Sequence, residues 1–146
     1  MARQCFLKLK SMLSNKNLKL KLRTRMMKCY VWSVLLYGAE GWTLKAFESK
    51  KLEAFEMWCY RRLLRIKWTD KIKNEEVIRR IEKDCELLTI IKKKNVAYFG
   101  HIMRNNKYSL LQLTLQGKIE GKRQRGRRRI TWMDNCLLYT SPSPRD

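Results

Sequence analysis

Leu52-Glu53-Ala54-Phe55-Glu56-Met57-Trp58-Cys59-Tyr60-Arg61-Arg62-Leu63-Leu64-Arg65-Ile66 is the stretch whose reading decides the fold class. Leu52, Phe55, Cys59, Leu63 and Ile66 recur at three- and four-residue steps, so one helical face carries them all. Lys50, Lys51, Arg61, Arg62 and Arg65 fall largely outside that stripe, on the side left to water. The spacing predicts a helix from about Glu48 to Lys67, with Lys67-Trp68-Thr69-Asp70 ending it.

On the N-terminal side, Leu18, Leu22, Met26, Cys29, Ser33 and Leu36 repeat the pattern, Gly38 supplies a stop, and Gly41 keeps the next turn open. On the C-terminal side, Asn74 is the expected N-cap of a short helix carrying Val77, Ile78 and Ile81. Glu75 and Glu76 then sit where the helix dipole favours acids. A further helix, roughly Glu86 to Arg104, uses Leu87, Ile91, Tyr98 and Ile102, with a gap in its stripe at Lys94. Gly100 within it costs on the order of 1 kcal/mol relative to alanine. The only prolines are Pro142 and Pro144, which leaves the body free for long helices.

The expected class is therefore mainly α, a bundle of four or five helices over residues 1–105. Beyond Asn105, Leu111, Leu113 and Leu115 alternate with Gln112, Thr114 and Gln116, which is strand spacing. A basic arm over 106–135, extended or hairpin-like, is expected there, with an exposed helix as the alternative. Residues 136–146 are expected to form a disordered tail. Its last ten residues, Leu137 to Asp146, also resemble translated sequencing-adapter read-through and are left out of the fold reasoning.

Charge is the strongest compositional feature. Thirty-four Lys and Arg face thirteen acids over 146 residues, a net charge of +21. Such an excess repels itself unless a polyanion neutralises it, and nucleic acid is the usual one. The anionic membrane surface is the rival. The uncharged run Cys29 to Ala39 is too short to span a bilayer, and no signal-peptide pattern occurs, so an intracellular, nuclear location is expected, with no membrane partner. The five cysteines are widely spaced with no CxxC pair, which suggests neither disulfides nor zinc.

The main candidate binding segment runs from Gly117 to Trp132. Lys118, Lys122, Arg123, Arg125, Arg127, Arg128 and Arg129 offer seven cations around one acid, Glu120. Gly117, Gly121 and Gly126 let backbone approach a phosphate path, guanidinium forks bind phosphate oxygens in pairs, and Trp132 offers a stacking face. A localisation signal or a solvated linker is the plainer account of the same run. Lys92, Lys93 and Lys94 add a basic helical face, as do Arg61, Arg62 and Arg65. For Trp32, Trp42, Trp58 and Trp68, core packing outweighs base stacking. Catalysis has no support. Asp70, Asp84, Asp134 and Asp146 are isolated, whereas metal-dependent phosphoryl transfer needs paired carboxylates. No small-molecule substrate is indicated.

Several blocks together resemble one family. Leu36-Tyr37-Gly38-Ala39-Glu40-Gly41-Trp42, the opening stretch from Leu52 to Ile66, Asn74-Glu75-Glu76-Val77, Gly100-His101-Ile102-Met103-Arg104 and the basic run leading to Trp132-Met133-Asp134-Asn135 are similar to the region beyond the palm in LINE-type (non-LTR) retrotransposon reverse transcriptases. The resemblance covers most of residues 20 to 135 and keeps the blocks in order. It implies a parent RNA-directed DNA polymerase with a separate endonuclease, whose palm carboxylates and magnesium lie upstream of the region matched. The piece seen here then corresponds to the thumb and connector, gripping RNA and DNA of the template-primer with no catalytic residue and no cofactor of its own. Two departures stand out: Arg128 occupies a position where relatives commonly have proline, and similarity stops after Asn135. A degenerate transposon-derived fragment without function and a host-adopted protein-interaction adaptor are the competing classes.

Overall fold

Buried methyl and ring groups on successive helices make the core, and their spacing explains the element order. The computed structural model describes residues 1–82, 85–116, 126, 132 and 133. It contains α1 (Ala2–Lys8), α2 (Lys10–Leu13), α3 (Leu20–Met27), α4 (Ser33–Leu35), α5 (Ala46–Leu63), α6 (Asn74–Ile81), α7 (Leu87–Arg104) and α8 (Ser109–Gln116), with no strand among the described residues. A π-helical turn, Lys28–Trp32, joins α3 to α4, and short 3-10 turns occupy Ala39–Gly41, Trp68–Asp70 and Asn106–Tyr108.

The mainly helical class expected from periodicity holds, while several details shift. The face of α3 and α4 is the predicted one only in part: Leu36 is buried and Met26 packs against the core, but Leu22, Cys29 and Ser33 are exposed, whereas Thr24, Met27, Val31 and Trp32 are buried. A π turn adds one residue to the local repeat. The buried series 24, 27, 31 therefore resumes as 32, 36, 39, and both Val31 and Trp32 reach the core. Gly38 ends this rod with a left-handed φ of 68°.

Helix α5 is the central element, burying Glu56, Met57, Cys59, Tyr60 and Leu63. It stops earlier than predicted. The Ile66 N–H donates to the Arg61 carbonyl (2.9 Å) and the Arg65 N–H to that of Arg62 (3.2 Å), with Arg65 left-handed at φ 59°. That is a Schellman ending, and Ile66 belongs to it rather than to the helix. Arg23 caps the same end from α3, donating from Nη1 to the Leu63 carbonyl (2.7 Å), a cation where the helix dipole is negative.

The other end of the core is built around one carboxylate. Glu56 is fully buried. Its Oε1 accepts from the Tyr60 hydroxyl (2.8 Å) and from the Glu86 N–H (2.9 Å), and its Oε2 from the Leu87 N–H (3.2 Å). The side chain thereby satisfies amides at the start of α7, whose N-cap residue Glu86 makes no side-chain cap hydrogen bond of its own. The Tyr60 hydroxyl is held protonated by burial and by the bond to Glu56. The neighbouring Cys59 thiol is pushed up to about 12, chiefly by burial. A thiol that far from ionising is inert to alkylation. At pH 8 iodoacetamide should modify exposed Cys29 and spare Cys59, as peptide mass spectrometry would show; rapid labelling of Cys59 would contradict this core.

At α6 the N-cap is Lys73, not Asn74. The Asn74 side-chain oxygen is engaged instead as acceptor for the Arg61 guanidinium (2.8 Å). In α7, Tyr98 is exposed and Asn95 takes the buried position between Ile91 and Ile102. The segment expected to be an extended arm begins as helix: Leu111, Leu113 and Leu115 lie on α8. Gln112 decides this, donating from Nε2 to the carbonyls of Ile102 (2.8 Å) and Asn105 (3.1 Å) and so finishing the C-terminal end of α7. The alternation of leucine with polar residues carries little weight without a strand partner to pair with.

Candidate nucleic-acid interface

Of the sequence-predicted cations, Lys92, Lys93 and Lys94 lie among the described residues. Lys118, Lys122, Arg123, Arg125, Arg127, Arg128 and Arg129 lie outside the described residues. Lys92, Lys93 and Lys94 are consecutive on α7, and a helix turns about 100° per residue, so they splay apart. Of the three, Lys93 is exposed; Lys92 is half-buried, and desolvation lowers its pKa. Lys94 donates to Glu40 Oε1 (2.9 Å) and to the Leu36 carbonyl (3.4 Å), tying α7 to the turn after α4. Trp132 is likewise occupied. Its Nε1 donates to the Glu40 carbonyl (3.0 Å), and its ring lies 6.3 Å from those of Tyr98 and Phe99. These last two act as fasteners of the fold more than as open ligand contacts.

The Lys94 hydrogen bond holds the Glu40 carboxyl below its usual range. A depressed carboxylate pKa stabilises the fold above the unfolded pKa and loses that stability as pH falls through the folded one. Both side chains are over a third exposed, so screening limits the pair to under about 1 kcal/mol. Lys94→Met should therefore lower stability slightly at pH 7 and leave it nearly unchanged at pH 3. Thermal melts at the two pH values check this, and equal losses at both would contradict it.

A better-formed basic site lies at the far end of α5. A groove of about 1020 Å³ opens between the end of α2, the last turn of α5 and the loop leading to α6. Seven cations line it: Arg61, Arg62 and Arg65 from α5 and its Schellman ending, Lys10 from α2, and Lys67, Lys71 and Lys73 from the loop. No acidic residue is among the lining residues, which otherwise include Trp58, Ile66, Trp68 and Ile72.

The arginines serve as struts. Arg61 Nη2 donates to the Ile72 carbonyl (2.7 Å), drawing the loop back onto α5. Arg65 Nε donates to the Ser14 carbonyl (2.6 Å), fixing the end of α2. The Arg62 guanidinium lies 4.3 Å over the Trp58 ring, which itself stacks on Phe55 at 5.9 Å. Lys10, Lys67, Lys71 and Lys73 are exposed, and no ion pair among the described residues takes them up. Anchored arginines beside exposed lysines give a concave positive surface suited to a phosphate chain.

No protein-family model, curated protein or solved structure matches this chain. The site's chemistry must therefore be read from its own residues.

The tryptophans divide sharply. Trp32 is 2% exposed and Trp42 and Trp58 are half-buried, as core packing predicts. Trp68 is 90% exposed, which corrects the core assignment for that residue. The Schellman ending turns the chain off α5 at Arg65, and the 3-10 turn Trp68–Asp70 then leaves the indole exposed at the edge of the groove. A signal was present in Lys67-Trp68-Thr69-Asp70-Lys71-Ile72-Lys73, where three cations accompany an aromatic in an inter-helix loop. Apolar periodicity carries no information in a loop. Among the described residues, no group of three or more His, Cys, Asp or Glu is placed to hold a metal ion, and no helix is long and apolar enough to cross a membrane. The donor set does not fit a divalent ion there, and no metal-dependent step is assigned to it.

Proposed function

We propose that this chain is a non-catalytic nucleic-acid-binding segment of a retrotransposon RNA-directed DNA polymerase, holding template and primer through their phosphates. The observation that carries this reading is the groove of seven lining cations with no acid among its lining residues. The charge of +21 supports it, as does the resemblance of the ordered blocks between residues 20 and 135 to LINE-type reverse transcriptases. Phosphate contacts of this type give affinity and position with little base preference. In that role the polymerase carboxylates and magnesium belong to another part of the parent, and nuclear DNA and RNA are the partners.

The test combines a primer-template hybrid with nucleotides and magnesium. The expected result is tight binding at low salt without primer extension. Extension by the purified chain would overturn the non-catalytic assignment, and failure to bind the hybrid would overturn the binding assignment.

A further inference from the structure

We propose that Trp68 is a stacking platform for an unpaired nucleobase, which makes the groove beside it a site for single-stranded nucleic acid. This rests on the binding role proposed above and names the strand form that the same surface takes.

Geometry supplies three reasons. Trp68 is 90% exposed yet lines the cationic groove, so its ring borders the surface where a phosphate chain would lie. Its turn is held from both sides: the Asp70 carboxylate accepts from the Lys67 N–H (2.8 Å), and Arg61 anchors the carbonyl of Ile72 (2.7 Å). A turn whose backbone is fixed in advance loses little entropy when a base settles on its indole. Lys67 and Lys71 are exposed and line the same groove as the indole, so cations for the adjoining phosphates lie on the same surface. An indole accepts any base because every base has a π-face, whereas bases in a duplex are already stacked on their neighbours. A protein partner could also cover an exposed tryptophan, but lining cations without a lining acid favour a polyanion.

The experiment uses the full chain and two labelled strands of equal length and charge, one oligothymidylate and one abasic. The chain is expected to bind oligothymidylate more tightly by about 5- to 150-fold, the range that one base–aromatic stack provides. Trp68→Ala should erase that margin while leaving abasic-strand affinity and salt dependence unchanged, and Trp68→Phe should keep part of it. Circular dichroism melts will verify that the variants fold, as expected for so exposed a side chain. If both strands bind equally, or if the margin survives Trp68→Ala, the stacking role is overturned while phosphate binding stands. If neither strand binds while the primer-template hybrid does, the single-strand site is overturned and the binding role stands; if none of the three binds, both proposals fall.

Discussion

Replacing Glu56 by alanine is expected to destabilise the fold by about 3 kcal/mol, since each buried donor left without a partner costs roughly 1–3 kcal/mol. Three donors lose their acceptor at once: the Tyr60 hydroxyl and the N–H groups of Glu86 and Leu87. The site is fully buried, so water cannot replace the carboxylate without opening the α5–α7 contact. Removal of an anion from the start of α7 adds a dipole term of up to about 1 kcal/mol. Glu56→Gln should cost less, about 1–2 kcal/mol, because its amide oxygen can still serve Tyr60 and Glu86 while its NH2 faces the Leu87 N–H. Tyr60→Phe should be milder again, at about 1 kcal/mol, since it removes a single hydrogen bond and leaves the carboxylate its amide partners. Urea titrations of the three variants check the order. An alanine variant as stable as the parent would mean that Glu56 does not organise this end of the core.

The second large effect is on binding. Changing Lys67, Lys71 and Lys73 together to glutamine removes three exposed cations from the groove without touching the arginine struts. If each lysine neutralises one phosphate of a single strand, the slope of log affinity against log salt should fall by about 0.7 per lysine, roughly 2 in all. At 0.1 M salt this corresponds to a loss of about 100-fold in affinity. Stability should hold or rise slightly, because the change relieves like-charge repulsion in a chain of net charge +21. Anisotropy titrations at several salt concentrations, with melts as control, make the comparison. An unchanged slope would show that nucleic acid, if bound, lies elsewhere.

Helical class and the backbone of α5 were legible because apolar spacing over a long segment reports burial directly. Gly38 was legible for a similar reason, since a glycine after an apolar run commonly takes the left-handed conformation it shows here. The face of α3 and α4 was legible only at Met26 and Leu36, because a π turn between the two helices shifts the register by one residue with no composition signal of its own. Glu56 escaped notice since an acid inside a helix usually faces water; only the approach of α7 turns it into a cap. Lys94 and Trp132 read as free cation and free aromatic, yet both are bound to Glu40, across distances in sequence that no local pattern spans. The groove combines α2, α5 and a loop, and its tryptophan owes its exposure to where a helix ends. Such surfaces are products of tertiary arrangement, while residue type alone shows that cations are plentiful.

Salt dependence of binding by the unaltered chain tests the core of the account most directly. A labelled single strand is titrated with protein at a series of monovalent salt concentrations. With at least the four groove lysines, Lys10, Lys67, Lys71 and Lys73, on phosphates, the log–log slope should be about −3 or steeper. No binding at low salt, or an affinity indifferent to salt, would contradict a phosphate-gripping role for this surface.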